Sequence, residues 1–220
     1  MSVFLIGDPH GRIDEYLKLL ASLSPGSRSI ALGDMYLGRP SVYLPELPPE
    51  HKFLRGNHDD PALCRAHPNY LGDYGYLPDD NLFFVSGAQT ASWRVLGNSK
   101  YWFKNEELSD SDLKEAIGLY KDTRPKIVIS HTAPSEGARE ILKDLNGSYF
   151  LNKHGDAESR TSRALQEMFE AHHPSAWYFG HFHINREFSI GGAKFHCLAE
   201  ITRFEVILRA PETQEESACT

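Results

Sequence analysis

The most constraining feature of this sequence is a pattern that occurs five times: an apolar run ends in a short polar motif containing Asp, Asn or His. The motifs lie at residues 7–11, 33–34, 56–59, 130–131 and 180–183. Short apolar runs bounded by turn residues are typical of buried strands. In an open α/β sheet, ligands bind beyond the carboxyl ends of the strands. The pattern therefore predicts an α/β fold whose strand ends bring all five motifs together.

The first motif illustrates how such a motif can supply metal ligands. Residues 3–6 are apolar and predict a strand, which Gly7 ends, and Asp8 and His10 follow directly. Residues two apart on an extended chain point to the same side. A carboxylate and an imidazole would then leave the strand end side by side, which is half of a metal site.

The rest of the chain is predicted to supply further strands and helices in alternation. Apolar residues three and four apart indicate a helix over 13–20, and Ser109 is a suitable N-cap for a helix that runs to about Tyr120. The other predicted helices are 136–145 and 159–171. The other predicted strands are 29–32, 52–54, 82–85, 90–96, 126–129, 176–179, 186–190, 194–198 and 204–208. Strands 82–85 and 90–96 are expected to form an antiparallel pair, and the expected loops are 38–50, 67–80 and 146–155.

Length and composition limit the class of protein. At 220 residues, the chain is predicted to form one domain over 1–210 with a polar tail over 211–220. It has no apolar run near the roughly 20 residues of a membrane helix and no basic leader, so neither a membrane protein nor a secreted one is expected. The net charge of −7 argues against stable, non-specific binding of nucleic acid. Three widely spaced cysteines fit no disulfide framework, which indicates a reducing cytoplasm.

The motifs supply candidate metal ligands of the carboxylate, amide and imidazole types and no thiolate. The candidates are Asp8, His10, Asp34, Asn57, His131, His181 and His183. Such ligands suit a divalent ion such as Mn²⁺, Fe²⁺ or Zn²⁺. Seven are too many for one tetrahedral ion and suit two ions that share a carboxylate, an arrangement able to hold a phosphoryl group. His58 is a candidate proton donor, and Asp59 is a candidate to hold the His58 ring in the correct tautomer.

In order and strand context, the motifs resemble those of the calcineurin-like metallophosphoesterases over residues 7–183, and in particular a compact bacterial and phage-type branch. The resemblance implies a four-layer α/β/β/α sandwich of two mixed β-sheets flanked by helices. It implies that one ion is held by Asp8, His10, Asp34 and His183. The other would be held by Asp34, Asn57, His131 and His181.

The same resemblance implies a mechanism and a set of cofactors. Asp34 would bridge the two ions, a metal-bound hydroxide would attack phosphorus, and His58 would act as general acid. The expected cofactors are two divalent ions, with manganese preferred over iron, zinc or nickel.

The second motif departs from the protein-phosphatase branch of that family, which has Gly-Asp-x-x-Asp-Arg-Gly. Here Leu37 replaces the second Asp, and the Arg is displaced to Arg39. Arg55 keeps the Leu-Arg-Gly-Asn-His pattern of that branch. Arg39 and Arg55 are therefore the candidates to bind substrate phosphate, while a protein substrate is disfavoured.

Several functions are compatible with these motifs. The preferred one is hydrolysis of a phosphomonoester or a phosphodiester, with a nucleotide among the candidate substrates. The alternatives are a phosphatase or nuclease that acts on nucleic-acid ends, a protein phosphatase, and a non-catalytic metal-binding scaffold of the same fold. The complete ligand set argues against the scaffold, because a scaffold has no need of seven ligands and His58. The substrate, the metal and the oligomeric state are left open by the sequence.

Overall fold

The computed structural model describes residues 2–90, 102–144 and 159–208, and ten strands in these ranges form two mixed sheets. The strands are β1 (Ser2–Ile6), β2 (Arg28–Ala31), β3 (His51–Phe53), β4 (Tyr74–Leu77), β5 (Leu82–Val85), β6 (Ile127–Ser130), β7 (Ala176–Phe179), β8 (Arg186–Ile190), β9 (Ala193–Cys197) and β10 (Arg203–Ile207). The smaller sheet has the order β10-β1-β2-β3, and the larger has the order β4-β5-β6-β7-β9-β8.

The strands that precede the five motifs lie side by side and parallel. β1, β2 and β3 are parallel neighbours in the smaller sheet, with β10 antiparallel to β1 at its edge. In the larger sheet β5, β6, β7 and β9 are parallel neighbours, and β4 and β8 are antiparallel at the two edges. The carboxyl ends of β1, β2 and β3, and those of β6 and β7, therefore each lie at one end of their sheet.

Five α-helices connect the strands within the described ranges. They are α1 (Ile13–Ala21), α2 (Pro61–Ala66), α3 (Asp110–Thr123), α4 (Ser135–Asp144) and α5 (Arg160–Ala171). The predicted N-cap of α3 is confirmed: the hydroxyl of Ser109 accepts from the amide of Asp112, whose carboxylate accepts from the amide of Ser109 in return. Such a capping box satisfies two amides that have no partner inside the helix.

Three hydrophobic clusters separate four layers. One lies between the sheets and takes side chains from both, among them Leu5, Ile30 and Ile129. A second packs α3, α4 and α5 against the outer face of the larger sheet. The third packs α1 against the outer face of the smaller sheet, with Tyr16 fully buried. The predicted α/β/β/α sandwich is thereby confirmed.

Alternation along the central strands explains how one chain serves three clusters. On β5, Phe83 and Val85 face the helices, and Leu82 and Phe84 face the other sheet. Successive residues of a strand point to opposite faces, so a strand buried on both sides is apolar throughout.

Within the described ranges, none of the helices combines the length and apolar content needed to cross a bilayer.

One prediction next to β5 is wrong. Residues 67–80 were expected to be a loop but contain β4 and a short 3₁₀ turn, and β4 is the antiparallel partner of β5. Glycine usually weakens a strand, but a Cβ at Gly75 would lie 2.7 Å from the Phe84 ring, so glycine is what lets the two strands pack. The predicted partner strand, 90–96, lies outside the described residues except for Thr90, and loop 146–155 and the tail lie wholly outside them.

Candidate metal centre

Contacts between the two sheets bring the five strand ends together. The amide of His181, after β7, donates to the carboxylate of Asp8, after β1, at 2.7 Å. His131, after β6, places its Nδ1 atom 2.8 Å from the carbonyl oxygen of Leu32, after β2. The predicted convergence of the motifs therefore occurs at the junction of the sheets.

Glycines at the strand ends leave room for ligands that come from neighbouring strands. A Cβ at Gly56 would lie 2.0 Å from Oδ1 of Asp34 and 2.6 Å from Nε2 of His131. A Cβ at Gly180 would lie 2.0 Å from Oδ1 of Asp8. Neither position has spare volume for a side chain, so packing requires the glycine of each of these two motifs.

Four of the candidate ligands adopt left-handed backbone conformations, each of which costs about 1–3 kcal/mol of conformational free energy. These are His10 (φ 47°), Asp34 (φ 52°), His181 (φ 68°) and His183 (φ 57°). The argument that Asp8 and His10 share one side of an extended segment is therefore wrong in its geometry, because the chain turns at His10. Strained residues of this kind cluster at functional sites, where the surrounding structure enforces them.

The first group of candidate ligands, which we call the outer half-site, comprises Asp8, His10, Asp34 and His183. One donor atom from each lies within 4.8 Å of the others. His10 Nε2 is 3.2 Å from Oδ2 of Asp34 and 3.8 Å from Oδ2 of Asp8. The group borders solvent, since the side chain of His183 is 34% exposed.

The second group, the inner half-site, comprises Asp34, Asn57, His131 and His181. Oδ1 of Asn57 lies 3.1 Å from Nε2 of His131 and 3.0 Å from Nδ1 of His181. Oδ1 of Asp34 lies 3.5 Å from the same Nε2 of His131. All four residues are buried, and Asp34 belongs to both groups.

In both half-sites, metal ions would satisfy the donor atoms better than the neighbouring side chains do. Among the described residues, Oδ1 of Asp8, Nε2 of His10 and Oδ2 of Asp34 are buried without a hydrogen-bond partner. A carbonyl only accepts, so the contact with Leu32 places the proton of a neutral His131 on Nδ1 and turns the lone pair of Nε2 towards oxygen atoms. Buried polar groups without partners are costly, and bound cations would satisfy these.

The charges of the cluster keep the shared carboxylate ionised. Burial raises the pKa of Asp34, but the charge that the imidazoles of His131, His58 and His10 carry when protonated outweighs it and leaves the pKa below its usual value. Burial lowers the pKa of His10, but the nearby carboxylates of Asp8 and Asp34 outweigh it and raise the pKa to about 9. The site therefore attracts positive charge, whether as protons or as metal ions.

His58 lies beside the outer half-site, and Arg39 determines its tautomer. Its amide donates to Oδ1 of Asp34 at 2.9 Å, and its ring centroid is 5.7 Å from that of His10. Nη2 of Arg39 lies 2.7 Å from Nδ1 of His58. A guanidinium only donates, so Nδ1 accepts and the neutral ring carries its proton on Nε2. Burial lowers the pKa of His58, which favours this neutral form.

The prediction that Asp59 holds the His58 ring is wrong. Oδ2 of Asp59 accepts from the amides of Gly56 and Met35, at 2.8 and 3.2 Å, and Oδ1 accepts from the amide of Leu37 at 3.0 Å. Burial and the nearby charge of Asp34 raise the pKa of Asp59 to about 7. Asp59 therefore joins the second motif to the third through backbone amides, which fixes the loop that carries Asp34.

The prediction that Arg55 binds substrate phosphate is also wrong. Its side chain is fully buried, with Nε donating to Asp73 at 3.0 Å and Nη1 donating to the carbonyl of Glu106. A buried guanidinium in these contacts cannot reach a substrate. The sequence pattern around Arg55 signals a structural residue here. Arg39 remains beside the site through its contact with His58.

Two residues near the outer half-site were not predicted from the sequence. The hydroxyl of Tyr36 lies 2.8 Å from Nδ1 of His10. A carboxylate oxygen of Glu200 lies 3.4 Å from Nδ1 of His183, and its other oxygen accepts from Arg12 at 2.8 Å. Groups that hold the second nitrogen of a metal-binding histidine orient its ring. Tyr36 could have been suspected from its place between Asp34 and Arg39, whereas nothing in the sequence connects Glu200 with residue 183.

Most of the chain matches the model of a known protein family. The family model for calcineurin-like phosphoesterases matches residues 1–185. No curated protein matches the chain.

Among solved structures, phosphopantetheinyl hydrolase from Mycobacterium tuberculosis is similar at 13% identity and a TM-score of 0.46, covering 90% of this chain and 89% of that one. A conserved uncharacterised protein from Streptococcus pneumoniae TIGR4, described as a predicted phosphoesterase, is similar at 13% identity and a TM-score of 0.39, covering 94% of this chain and 83% of that one.

Proposed function

The chain belongs to the calcineurin-like phosphoesterase family, and from that membership we propose that it hydrolyses a phosphate ester with two divalent metal ions bound at the outer and inner half-sites. The observation that carries the proposal is the convergence of buried donor atoms that have no hydrogen-bond partner among the described residues. A phosphate-ester substrate and a requirement for divalent metal follow from the family alone. The number of ions and the role of each residue are part of our proposal.

In this proposal each half-site holds one ion and Asp34 contacts both. The outer ion would be held by Asp8, His10, Asp34 and His183, whose donor atoms lie within 4.8 Å of one another. The inner ion would be held by Asp34, Asn57, His131 and His181. Manganese is the preferred ion, with iron, zinc and nickel as alternatives, because the donors are oxygen and imidazole nitrogen without thiolate.

When bound, two such ions supply positive charge to phosphoryl oxygens and lower the pKa of an attacking water. The chain itself supplies the proton donor and the orientation of the substrate. We assign the proton donor to His58, whose backbone amide is fixed on the shared carboxylate of Asp34. A neutral imidazole is a very weak acid, so His58 would need protons on both ring nitrogens to act as the general acid.

Arg39 connects this step with substrate binding. Its guanidinium now donates to Nδ1 of His58 at 2.7 Å, which excludes a proton from that nitrogen. A phosphate group is a stronger acceptor for a guanidinium than an imidazole is. We propose that substrate phosphate draws Arg39 away from His58 and so permits the ring to be protonated at Nδ1.

The proposed substrate is a phosphomonoester or a phosphodiester, with nucleotides included. The net charge of −7 argues against a stable complex with long nucleic acid. Leu37 stands where the protein-phosphatase branch has Asp. Arg55, which is kept from that branch, is buried and cannot reach a substrate. Both observations argue against a protein substrate. We propose a cytoplasmic location, because Cys64 and Cys197 are free thiols buried in the fold.

The test is a screen of chromogenic aryl phosphate monoesters and diesters and a panel of nucleotides against Mn²⁺, Ni²⁺, Zn²⁺ and Mg²⁺. We expect turnover with at least one ester, greatest with Mn²⁺, and its loss after treatment with a chelator. Return of turnover when the metal is added back separates metal dependence from damage by the chelator. Absence of turnover across the whole panel would contradict an enzymatic function and favour the metal-binding scaffold.

The role of His58 has its own test. His58→Ala should reduce turnover by about 10²–10⁴-fold, the usual contribution of a positioned acid, while both ions stay bound. Turnover is measured together with metal content. A fully active His58→Ala variant would show that the proton comes from another group.

A further inference from the structure

A buried chain of hydrogen bonds leads from the inner half-site to a carboxylate that is not among its ligands. The amide nitrogen of Asn57 donates to the hydroxyl of Thr90 at 3.1 Å. The hydroxyl of Thr90 donates to Oε2 of Glu106 at 2.6 Å, and the backbone amide of Thr90 donates to Oε1 at 2.7 Å. Asn57, Thr90 and Glu106 are 2%, 5% and 3% exposed, so water does not compete for these contacts.

The direction of each bond in this chain follows from the one before it. An ionised carboxylate only accepts, so both the amide and the hydroxyl of Thr90 must donate to Glu106. A hydroxyl has a single proton, so towards Asn57 the Thr90 oxygen can only accept. The group of Asn57 that faces Thr90 must therefore be its NH₂.

The orientation of the Asn57 amide is then fixed, and so is the direction in which its oxygen points. With its NH₂ on Thr90, its Oδ1 faces Nε2 of His131 at 3.1 Å and Nδ1 of His181 at 3.0 Å. Oxygen is the atom of an amide that binds a metal ion, and the NH₂ is not. An amide turned by 180° would present hydrogen atoms to the ion and lose a ligand.

We propose that Glu106 is a positioning residue, which acts through Thr90 to keep the amide oxygen of Asn57 directed into the inner half-site. The proposal rests on the assignment of Asn57 as a metal ligand, and it adds two residues that none of the five motifs contains. Outer partners of this kind typically change metal affinity or activity by about 10–100-fold when they are removed.

Arg55 has a place in the same arrangement. It is fully buried and donates from Nη1 to the backbone carbonyl of Glu106, while its Nε donates to Asp73 at 3.0 Å. The third motif contributes Asn57, and Arg55, which directly precedes that motif, fixes the backbone of Glu106. This explains why an arginine that cannot reach substrate precedes Gly56.

The competing account is that Thr90 and Glu106 only stabilise the local fold. Three variants separate the two. Thr90→Val keeps the shape of the side chain and removes the hydroxyl. Thr90→Ser keeps the hydroxyl. Glu106→Gln keeps the shape of the carboxylate, but its NH₂ must face one of the two donors of Thr90. Glu107→Gln is the matched control, because Glu107 is the next residue and its carboxylate accepts instead from the amide of Thr161 at 2.8 Å.

The experiment is titration of the metal-free proteins with Mn²⁺ by calorimetry at pH 8, above the value of about 7 to which burial raises the pKa of Glu106. We expect two ions in the unaltered protein. Thr90→Val and Glu106→Gln should bind one of the two about 10–100-fold more weakly, and Thr90→Ser and Glu107→Gln should bind both as before. Unchanged binding of both ions in Thr90→Val and Glu106→Gln, with only a lower Tm, would overturn the proposal, as would loss of an ion in Thr90→Ser.

A second readout does not depend on metal. In the metal-free protein, the NH₂ protons of Asn57 should show slow exchange with solvent by NMR, and this protection should be lost in Thr90→Val and kept in Thr90→Ser. Protection that persists in Thr90→Val would overturn the inference even if two ions bind. Binding of fewer than two ions by the unaltered protein, with Asn57 protected as expected, would instead contradict the binuclear site.

Discussion

The outer and inner half-sites share Asp34 but differ in how the protein holds their other ligands. In the inner half-site, His131 is fully buried and donates to the carbonyl of Leu32, a residue of the strand-end backbone. In the outer half-site, His183 is 34% exposed and its ring is held by Glu200, whose side chain is equally exposed. One half-site is therefore built into the junction of the sheets, and the other is built on its surface.

This difference suggests that the two ions differ in affinity and in access to solvent. Buried ligands with fixed partners lose little freedom when a metal binds, so the inner ion should bind more tightly and exchange more slowly. The outer half-site lies beside His58 and Arg39, where a substrate can enter. We therefore expect the inner ion to be resident and the outer ion to be the one that solvent and substrate reach.

The shared carboxylate gives the largest expected effect, because it is the only residue common to both half-sites as assigned. Asp34→Asn should weaken both ions and reduce turnover by more than about 10²-fold, beyond the effect of a group that only supports a ligand. Metal content and turnover measure this, with the exposed Asp79→Asn as control. Loss of one ion alone would show that Asp34 does not bridge.

Removal of one histidine from each half-site should separate the two. His131→Ala leaves the carbonyl of Leu32 without its donor in a buried site, and should lower the free energy of unfolding of the metal-free protein by about 1–3 kcal/mol. His183→Ala, at an exposed position, should change it by less than about 0.5 kcal/mol.

Both histidine variants should lose one ion, which metal analysis measures. Chemical denaturation in the presence of a chelator gives the stabilities. Equal stability losses in the two variants would contradict the contrast between a buried and a surface half-site.

The smallest expected effect is that of Tyr36, whose hydroxyl lies 2.8 Å from Nδ1 of His10. Tyr36→Phe should weaken the outer ion by about 10-fold, since it removes an orienting partner and leaves the ligand in place. The inner ion should be unaffected. Calorimetric titration checks this, with Tyr43→Phe as control, because Tyr43 is 78% exposed. An effect on the inner ion would show that the half-sites are not independent.

Local sequence signals predicted most of the fold. The bounds of the strands that carry the motifs differ from the predictions by at most one residue, because each strand is a buried apolar run with a turn residue near its end. The helix that begins after Ser109 was predicted from its cap and runs on to Thr123. β4 was missed because its Tyr-Gly-Tyr-Leu sequence gives no strand pattern, and its glycine is needed only by the ring of Phe84 on the next strand.

The candidate ligands were predictable for a similar reason, since each one follows a strand directly. Their supporting residues were not. Tyr36, Glu106 and Glu200 reach the site through contacts between segments distant in sequence, which no local pattern reports. Asp59 was assigned to His58 because the two are adjacent, but the turn at residues 57–58 directs its carboxylate to backbone amides. Adjacency in sequence is a poor guide to contact where the chain turns sharply.

The central claim is that two ions share Asp34, and anomalous diffraction from crystals grown with Mn²⁺ tests it most directly. We predict two peaks about 3.5–4 Å apart, the separation usual in two-metal sites, with Asp34 between them. One should contact Asn57, His131 and His181, and the other Asp8, His10 and His183. A single peak at saturating Mn²⁺, or two peaks without Asp34 between them, would contradict the account.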